Sequence, residues 1–176
     1  MANAASNRMT FLTFAIGDTV VLPQYGVGHI DRLEEREFER GKIHTYYTIS
    51  MSGGSIVWVP VDRKDSTLRH VAEKSELAHC REILEAPPLT LTEDGRVRQS
   101  ELIDRLKGAT IVAQCEVVRD LSAFLAKRSS YGAIRGFLES IQHALYEEWA
   151  LVAEISTMDA QVEIISLLEK PAQVSG

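Results

Sequence analysis

The chain has 176 residues, 45% hydrophobic and 25% charged, with a net charge of −6. This composition suits a soluble globular protein of one large or two small domains. Its apolar runs are far shorter than the roughly 20 residues of a bilayer span, and no basic-then-apolar leader opens it, so a cytoplasmic protein without membrane contact is expected. The charge is unevenly spread. Residues 1–70 carry 8 basic and 8 acidic side chains, whereas residues 71–176 carry 11 and 17. An acidic second half argues against tight, autonomous nucleic-acid binding there, because phosphate neutralisation supplies most non-specific affinity.

The first half has a period of two. Residues 18–23 (DTVVLP), 28–38, 43–51 and 55–60 are rich in Val, Ile, Tyr and Thr and are bounded by turn residues, which predicts four strands. A fifth short strand is expected near residues 67–70. Gly53-Gly54 predicts a two-residue type I′ hairpin, which needs positive φ at both positions, and Gly41-Lys42 closes another hairpin. Gly26 and Gly28 permit a sharp bend that a side chain would block. Four or five short antiparallel strands suit a small SH3- or Tudor-like β-barrel.

From about Ser75 the period becomes helical. Leu77, Cys80 or Arg81, and Leu84 predict a short amphipathic helix stopped by Ala86-Pro87-Pro88. Residues 87–95 read as a linker, and residues 98–107 as a helix ending at Gly108. Ile111, Cys115, Val118, Leu121 and Leu125 mark a strong apolar stripe. Ser129-Ser130 offers a cap for a helix with Ile134, Leu138, Ile141, Leu145 and Val152 facing inward. Val162, Ile165 and Leu168 close a last helix before Pro171. The fold class is therefore α+β: an N-terminal antiparallel barrel over residues 12–72 and an all-α bundle over residues 73–170. Residues 1–11 and 171–176, small and polar, are expected to fray.

No chemical motif competes with this reading. His29, His44, His70, His79 and His143 are scattered, without metal-ligand spacing. His79 and Cys80 are adjacent on a helix and diverge, so they form no nucleophile–base pair. No phosphate-cradling loop or nucleophile elbow is present. Neither catalysis, a metal or cofactor, nor a small-molecule substrate is expected. Cys80 and Cys115 read as buried free thiols, Trp149 as a packing residue, and Gly132 with Gly136 as a close helix contact.

Several short motifs recur in an order and spacing that are specific together: Gly17-Asp18, Val20-Val21, Pro23, Gly26-Val27-Gly28, Tyr46-Tyr47, Val59-Pro60, Leu68-Arg69, Ile83-Leu84, Ala86-Pro87, and the run from Glu116 through Leu121. Over residues 14–165 the chain resembles the CarD/CdnL/TRCF family. That resemblance implies a barrel that docks on the β subunit of bacterial RNA polymerase, and a helical half that sits against promoter DNA and favours the open complex. It also implies a polymerase contact for a basic residue on the second strand, where Arg36 stands. The edge formed by Val57, Trp58 and Val59 is the other expected contact, since an extended partner strand can add to an exposed sheet edge. Trp58 alternates with the two valines and faces away from them.

The chain departs from the family at one position. CarD-like helical domains carry a Trp shortly after the Ala-Pro junction that wedges into the minor groove; here Gly95 stands there, within Asp94-Gly95-Arg96-Val97-Arg98. Glycine cannot act as an apolar wedge, which leaves Arg96 and Arg98 as the candidate phosphate contacts. Two functions stay open: a polymerase-binding regulator of open-complex stability with weak or altered DNA contact, or an adaptor whose acidic bundle recruits a second protein.

Overall fold

The computed structural model describes residues 14–63, 66–107, 110–128 and 132–170. The terminal segments 1–11 and 171–176, the stop at Gly108 and the cap at Ser129-Ser130 lie outside the described residues. Five strands come first: β1 (Thr19–Leu22), β2 (Gly26–Glu39), β3 (Lys42–Met51), β4 (Ile56–Pro60) and β5 (Arg69–His70). They form one antiparallel sheet in the order β4-β3-β2-β1-β5. The α+β class therefore holds, with a barrel-like rather than closed sheet: β4 and β5 end it without pairing to each other.

Local chemistry sets the strand connections. Gly26 has φ of 97°, and a Cβ there would sit 2.0 Å from a Glu147 carboxylate oxygen; only glycine fits both the backbone and the contact. A Cβ on Gly28 would meet Ile49, Met51 and the Ser50 carbonyl at 2.8–2.9 Å, so this glycine sets how closely β2 approaches β3. The β3–β4 hairpin differs from expectation. Only Gly54 takes positive φ, the Gly54 N–H donates to the Met51 carbonyl, and the Met51 N–H donates to the Ser55 carbonyl. That is a three-residue loop ending in a left-handed residue rather than a type I′ turn.

Five helices follow: α1 (Glu76–Glu85), α2 (Gly95–Leu106), α3 (Ile111–Ala126), α4 (Gly132–Ala153) and α5 (Thr157–Glu169). α2 begins three residues before the expected start because Asp94 accepts from the Arg96 and Val97 N–H groups, satisfying two donors a helix start leaves open. Thr110 and Ser156 cap α3 and α5 in the same way. The buried residues of α5 are Ala160, Ile164 and Leu167, while Val162 and Ile165 face outward. Among the described residues nothing lies within 4 Å of a Cβ added to Gly132 or Gly136, so these two glycines mediate no close helix contact there. Cys80 and Cys115 are buried free thiols, and the fully buried Trp149 donates to Glu163 at 3.0 Å.

Two cores result. Val20, Leu22, Ile30, Tyr47, Ile49, Met51, Val59 and Leu68 fill the concave side of the sheet. The bundle core gathers around Leu121, Ile141, Leu145, Trp149 and Ile164. α4 joins the two through adjacent acids. Glu147 accepts the Val27 N–H at 3.0 Å. Glu148, fully buried, takes both arms of the Arg69 guanidinium at 2.6 Å and the Ala72 N–H at 2.9 Å. Gln114 of α3 completes the set, accepting from Arg69 at 2.8 Å and donating to the Ile141 carbonyl at 3.1 Å. Among the described residues no helix is long and apolar enough to cross a membrane.

Breaking a buried, forked ion pair leaves a charge without its partner. Glu148→Ala is therefore expected to lower unfolding stability by about 3–5 kcal/mol. Replacing both partners (Arg69→Met with Glu148→Leu) is expected to recover most of that loss in urea unfolding. Full recovery is not expected, because the Ala72 N–H loses its acceptor.

Candidate functional site

One backbone irregularity decides which side chains the sheet presents. Ile30 pairs with Ile49, yet Arg32 pairs with Thr48, so Asp31 is an extra residue in β2. Such a bulge inverts the alternation beyond it. Leu33 consequently turns to the core beside Tyr47, while Arg32, Glu34 and Arg36 turn outward. On the neighbouring strands Tyr46, Thr48, Trp58 and Pro60 share that outer side.

Glu34 organises this surface. Its carboxylate accepts from Arg36 Nη2 at 3.1 Å, Thr48 Oγ1 at 3.0 Å and Trp58 Nε1 at 3.2 Å, and Arg32 lies 3.7 Å away. The hydrogen bond from Arg36, followed by that from Thr48, holds the Glu34 carboxyl down to about 2. The Arg36 guanidinium carbon lies 4.3 Å from the Trp58 ring centroid and 5.9 Å from that of Phe38. Phe38 in turn meets Tyr46 edge-on at 5.0 Å. Arg36 Nε has no hydrogen-bond partner. The result is a half-exposed cation–aromatic surface with fixed rotamers, the kind of anchor that concentrates binding energy in protein interfaces.

The structure therefore brings Arg36 and Trp58 together and separates both from the two valines. Val59 is buried in the sheet core and Val57, half-buried, packs against it; both line a groove beside β4. What β4 presents is its backbone. Met51 N–H bonds to Ser55 O and Val61 N–H to Thr45 O. The antiparallel alternation then points the peptide groups of Ile56 and Trp58 away from β3, toward the unpaired edge. A groove of about 270 Å³ runs beside β4, walled by Trp58, Pro60 and Tyr25 and by Ile103 and Lys107 of α2.

The second pair of expected site residues divides. Arg96 is exposed at the start of α2. Arg98 is 3% exposed; it donates to the carbonyls of Thr92 and Glu93 and lies 4.4 Å from the Phe124 ring centroid. It holds the 92–94 turn against α3 and is withdrawn from solvent, which overturns its assignment as a phosphate contact. Arg105 bonds to the fully buried Asp120 at 2.9 Å, and Lys107 to Asp104 at 2.8 Å. No basic stripe joins Arg96, Arg98, Arg105 and Lys107. At Gly95 an added Cβ would meet only Arg98 Nη2, at 3.5 Å, so the fold does not impose glycine there.

Glu34, Thr48 and Phe38 do not stand out in the sequence, and Tyr46 does so only as part of a family motif. The signal that could have found them is Ile30-Asp31-Arg32-Leu33, where the apolar spacing changes from two to three. Among the described residues no group of His, Cys, Asp or Glu is arranged to hold a metal.

Comparison with known proteins agrees with the architecture. Residues 14–72 match the family described as "CarD-like/TRCF RID domain". The chain is also similar to a Bacillus subtilis (strain 168) protein named "Putative transcription factor YdeB", at 28% identity over 145 residues, covering 81% of this chain and 94% of that relative. Residues 14–72, the N-terminal sheet with its Arg36–Trp58 surface, thus match the CarD-like/TRCF RID domain family, in a chain similar over most of its length to a protein named a putative transcription factor.

Proposed function

We propose that this chain is a non-enzymatic transcription regulator that docks on the β subunit of bacterial RNA polymerase and modulates the stability of the promoter open complex. The observation that carries the reading is the joined Arg36–Trp58–Glu34 surface beside an unpaired strand edge, in a domain of the CarD-like/TRCF RID family. An extended segment of the polymerase would add to β4 through the peptide groups of Ile56 and Trp58, which supply affinity. Trp58 and Arg36 would supply the anchor, with Glu34 keeping both in place before the partner arrives.

A specific observation favours a second reading of the helical half. Arg98 is buried and Arg105 and Lys107 are ion-paired, so Arg96 alone of the four basic residues is left as a candidate phosphate contact. In that reading the bundle recruits a second protein while the sheet holds the polymerase.

Four outcomes are expected. Calorimetry against a purified β-lobe fragment gives saturable binding by the full chain, weakened about tenfold or more by Arg36→Glu. Ile56→Pro removes only an outward N–H on an edge strand and weakens binding without unfolding the sheet; binding that survives both changes excludes this surface. A Cβ at Gly95 meets only ordinary contact among the described residues, so Gly95→Trp is expected to fold, which far-UV dichroism checks; a longer open-complex lifetime supports DNA contact by the bundle, and an unchanged one favours the adaptor. For Glu34, whose folded value lies below its ordinary 4.5, the stabilisation is complete above about pH 4.5 and is lost as pH falls toward 2. The melting-temperature advantage of the natural chain over Glu34→Gln should be constant from pH 5 to 8, then shrink across that acid window.

A further inference from the structure

α5 is apolar on two opposite faces. Ala160, Ile164 and Leu167 pack against α1 and α4. Turned about half a revolution away, at helical spacing, Met158, Val162 and Ile165 are 68%, 61% and 39% exposed. Leu151 near the end of α4 and Ile155 in the connection to α5 are exposed as well. Ile165 leads into a groove of about 570 Å³ between α3 and α5, where Leu168, Ala123, Ala126 and Pro88 extend the apolar surface. A helix that only closes a bundle carries polar side chains on its outer face. A contiguous apolar stripe there marks a contact surface.

The surrounding charge says what kind of partner fits. Residues 136–169 hold seven carboxylates and no Lys or Arg. Glu147 and Glu148 are engaged with the sheet, and Glu163 with Arg81 and Trp149. Glu154, Asp159 and Glu169 are exposed and follow the stripe along the chain, Glu169 standing one turn beyond Ile165; an exposed Lys74 lies 3.9 Å from Glu154, and Asp159 accepts from Ser156 Oγ at 2.8 Å. Two cations line the groove: Arg119, which is held by Asp120, and Lys127. A second copy of this chain would bring the same carboxylates to the contact, and nucleic acid would bring phosphates; like charges oppose both.

We propose that the outer face of α5 docks an amphipathic helix of a partner protein. Apolar side chains of that helix cover Met158, Val162 and Ile165, and its flanking Lys or Arg residues meet Glu154, Asp159 and Glu169. This mode of recognition, an apolar helix face laid into a groove, needs anchors at the i, i+4, i+7 spacing that the stripe offers. The inference rests on the adaptor reading of the bundle and supplies the chemistry of its second partner. It is independent of polymerase docking, which uses β2 and β4.

The test uses the purified full chain without polymerase and a synthetic amphipathic helical peptide of about 18 residues, or five turns, with a Leu stripe and Lys flanks. Fluorescence anisotropy is expected to show saturable binding, weakened about tenfold or more by Val162→Gln, which removes an exposed anchor, with an unchanged far-UV spectrum. A peptide with the same stripe and Glu flanks should not bind. Equal binding of the Glu-flanked or a scrambled Lys peptide, or no effect of Val162→Gln, would overturn the proposal. So would sedimentation showing a dimer that Val162→Gln dissociates, since the face would then belong to a second copy. Because polymerase is absent, none of these failures touches the reading of the Arg36–Trp58 surface.

Discussion

The arrangement of this molecule depends on one buried ion pair, Arg69 with Glu148. β5 is only two residues long and lies at an edge of the sheet, so its own ladder contributes little. What holds it is the forked contact at 2.6 Å to a fully buried carboxylate on the longest helix. Burying the two charges costs desolvation, which the remaining partners offset: Gln114 on one side and the Ala72 N–H on the other. A forked pair has a single geometry. With Glu147 on the Val27 N–H, it gives the sheet a fixed seat on the bundle rather than a swivel.

That fixed seat is what would make the chain useful to a large machine. The Arg36–Trp58 surface lies on the sheet, and the α5 stripe lies on the bundle. A rigid junction converts docking at the first into a defined position for the second. A flexible linker would provide only proximity. Most of the arginines that a charge count assigns to partners are used inside the molecule instead. Arg69 joins the two cores, Arg98 closes a turn over Phe124, and Arg105 and Arg119 both serve the buried Asp120. The acidic residues are divided differently: those at 147, 148 and 163 are internal, and those flanking α5 are left to the surface.

Much of this was legible in the sequence, and the misses have specific causes. Period-two runs and turn residues located every strand, and 3.6-residue spacing located every helix. The family's motifs pointed to Arg36 and Trp58, which the structure joins at 4.3 Å. The packing face of α5 is not legible in the sequence because its apolar residues form two stripes, and periodicity alone cannot say which one packs. The start of α2 was placed late because Asp94 was read as linker rather than cap. Arg98 looked like a surface cation because its spacing from Phe124 in the chain hides their contact. Alternation turns Val59 into the core and leaves Val57 half-buried against it, so the hydrogen-bonding groups at that edge are those of the backbone.

The elements and the division into a β half and an α half follow from local spacing and turn chemistry, which act over a few residues and are written in the chain. The outward turn of Glu34 and Arg36, the junction at Glu148 and the exposed side of α5 follow from the Asp31 bulge and from pairings between residues 14 to 120 positions apart. Those were decided by packing. Which of several polar or apolar side chains is buried depends on what lies opposite it, and no local pattern contains that information.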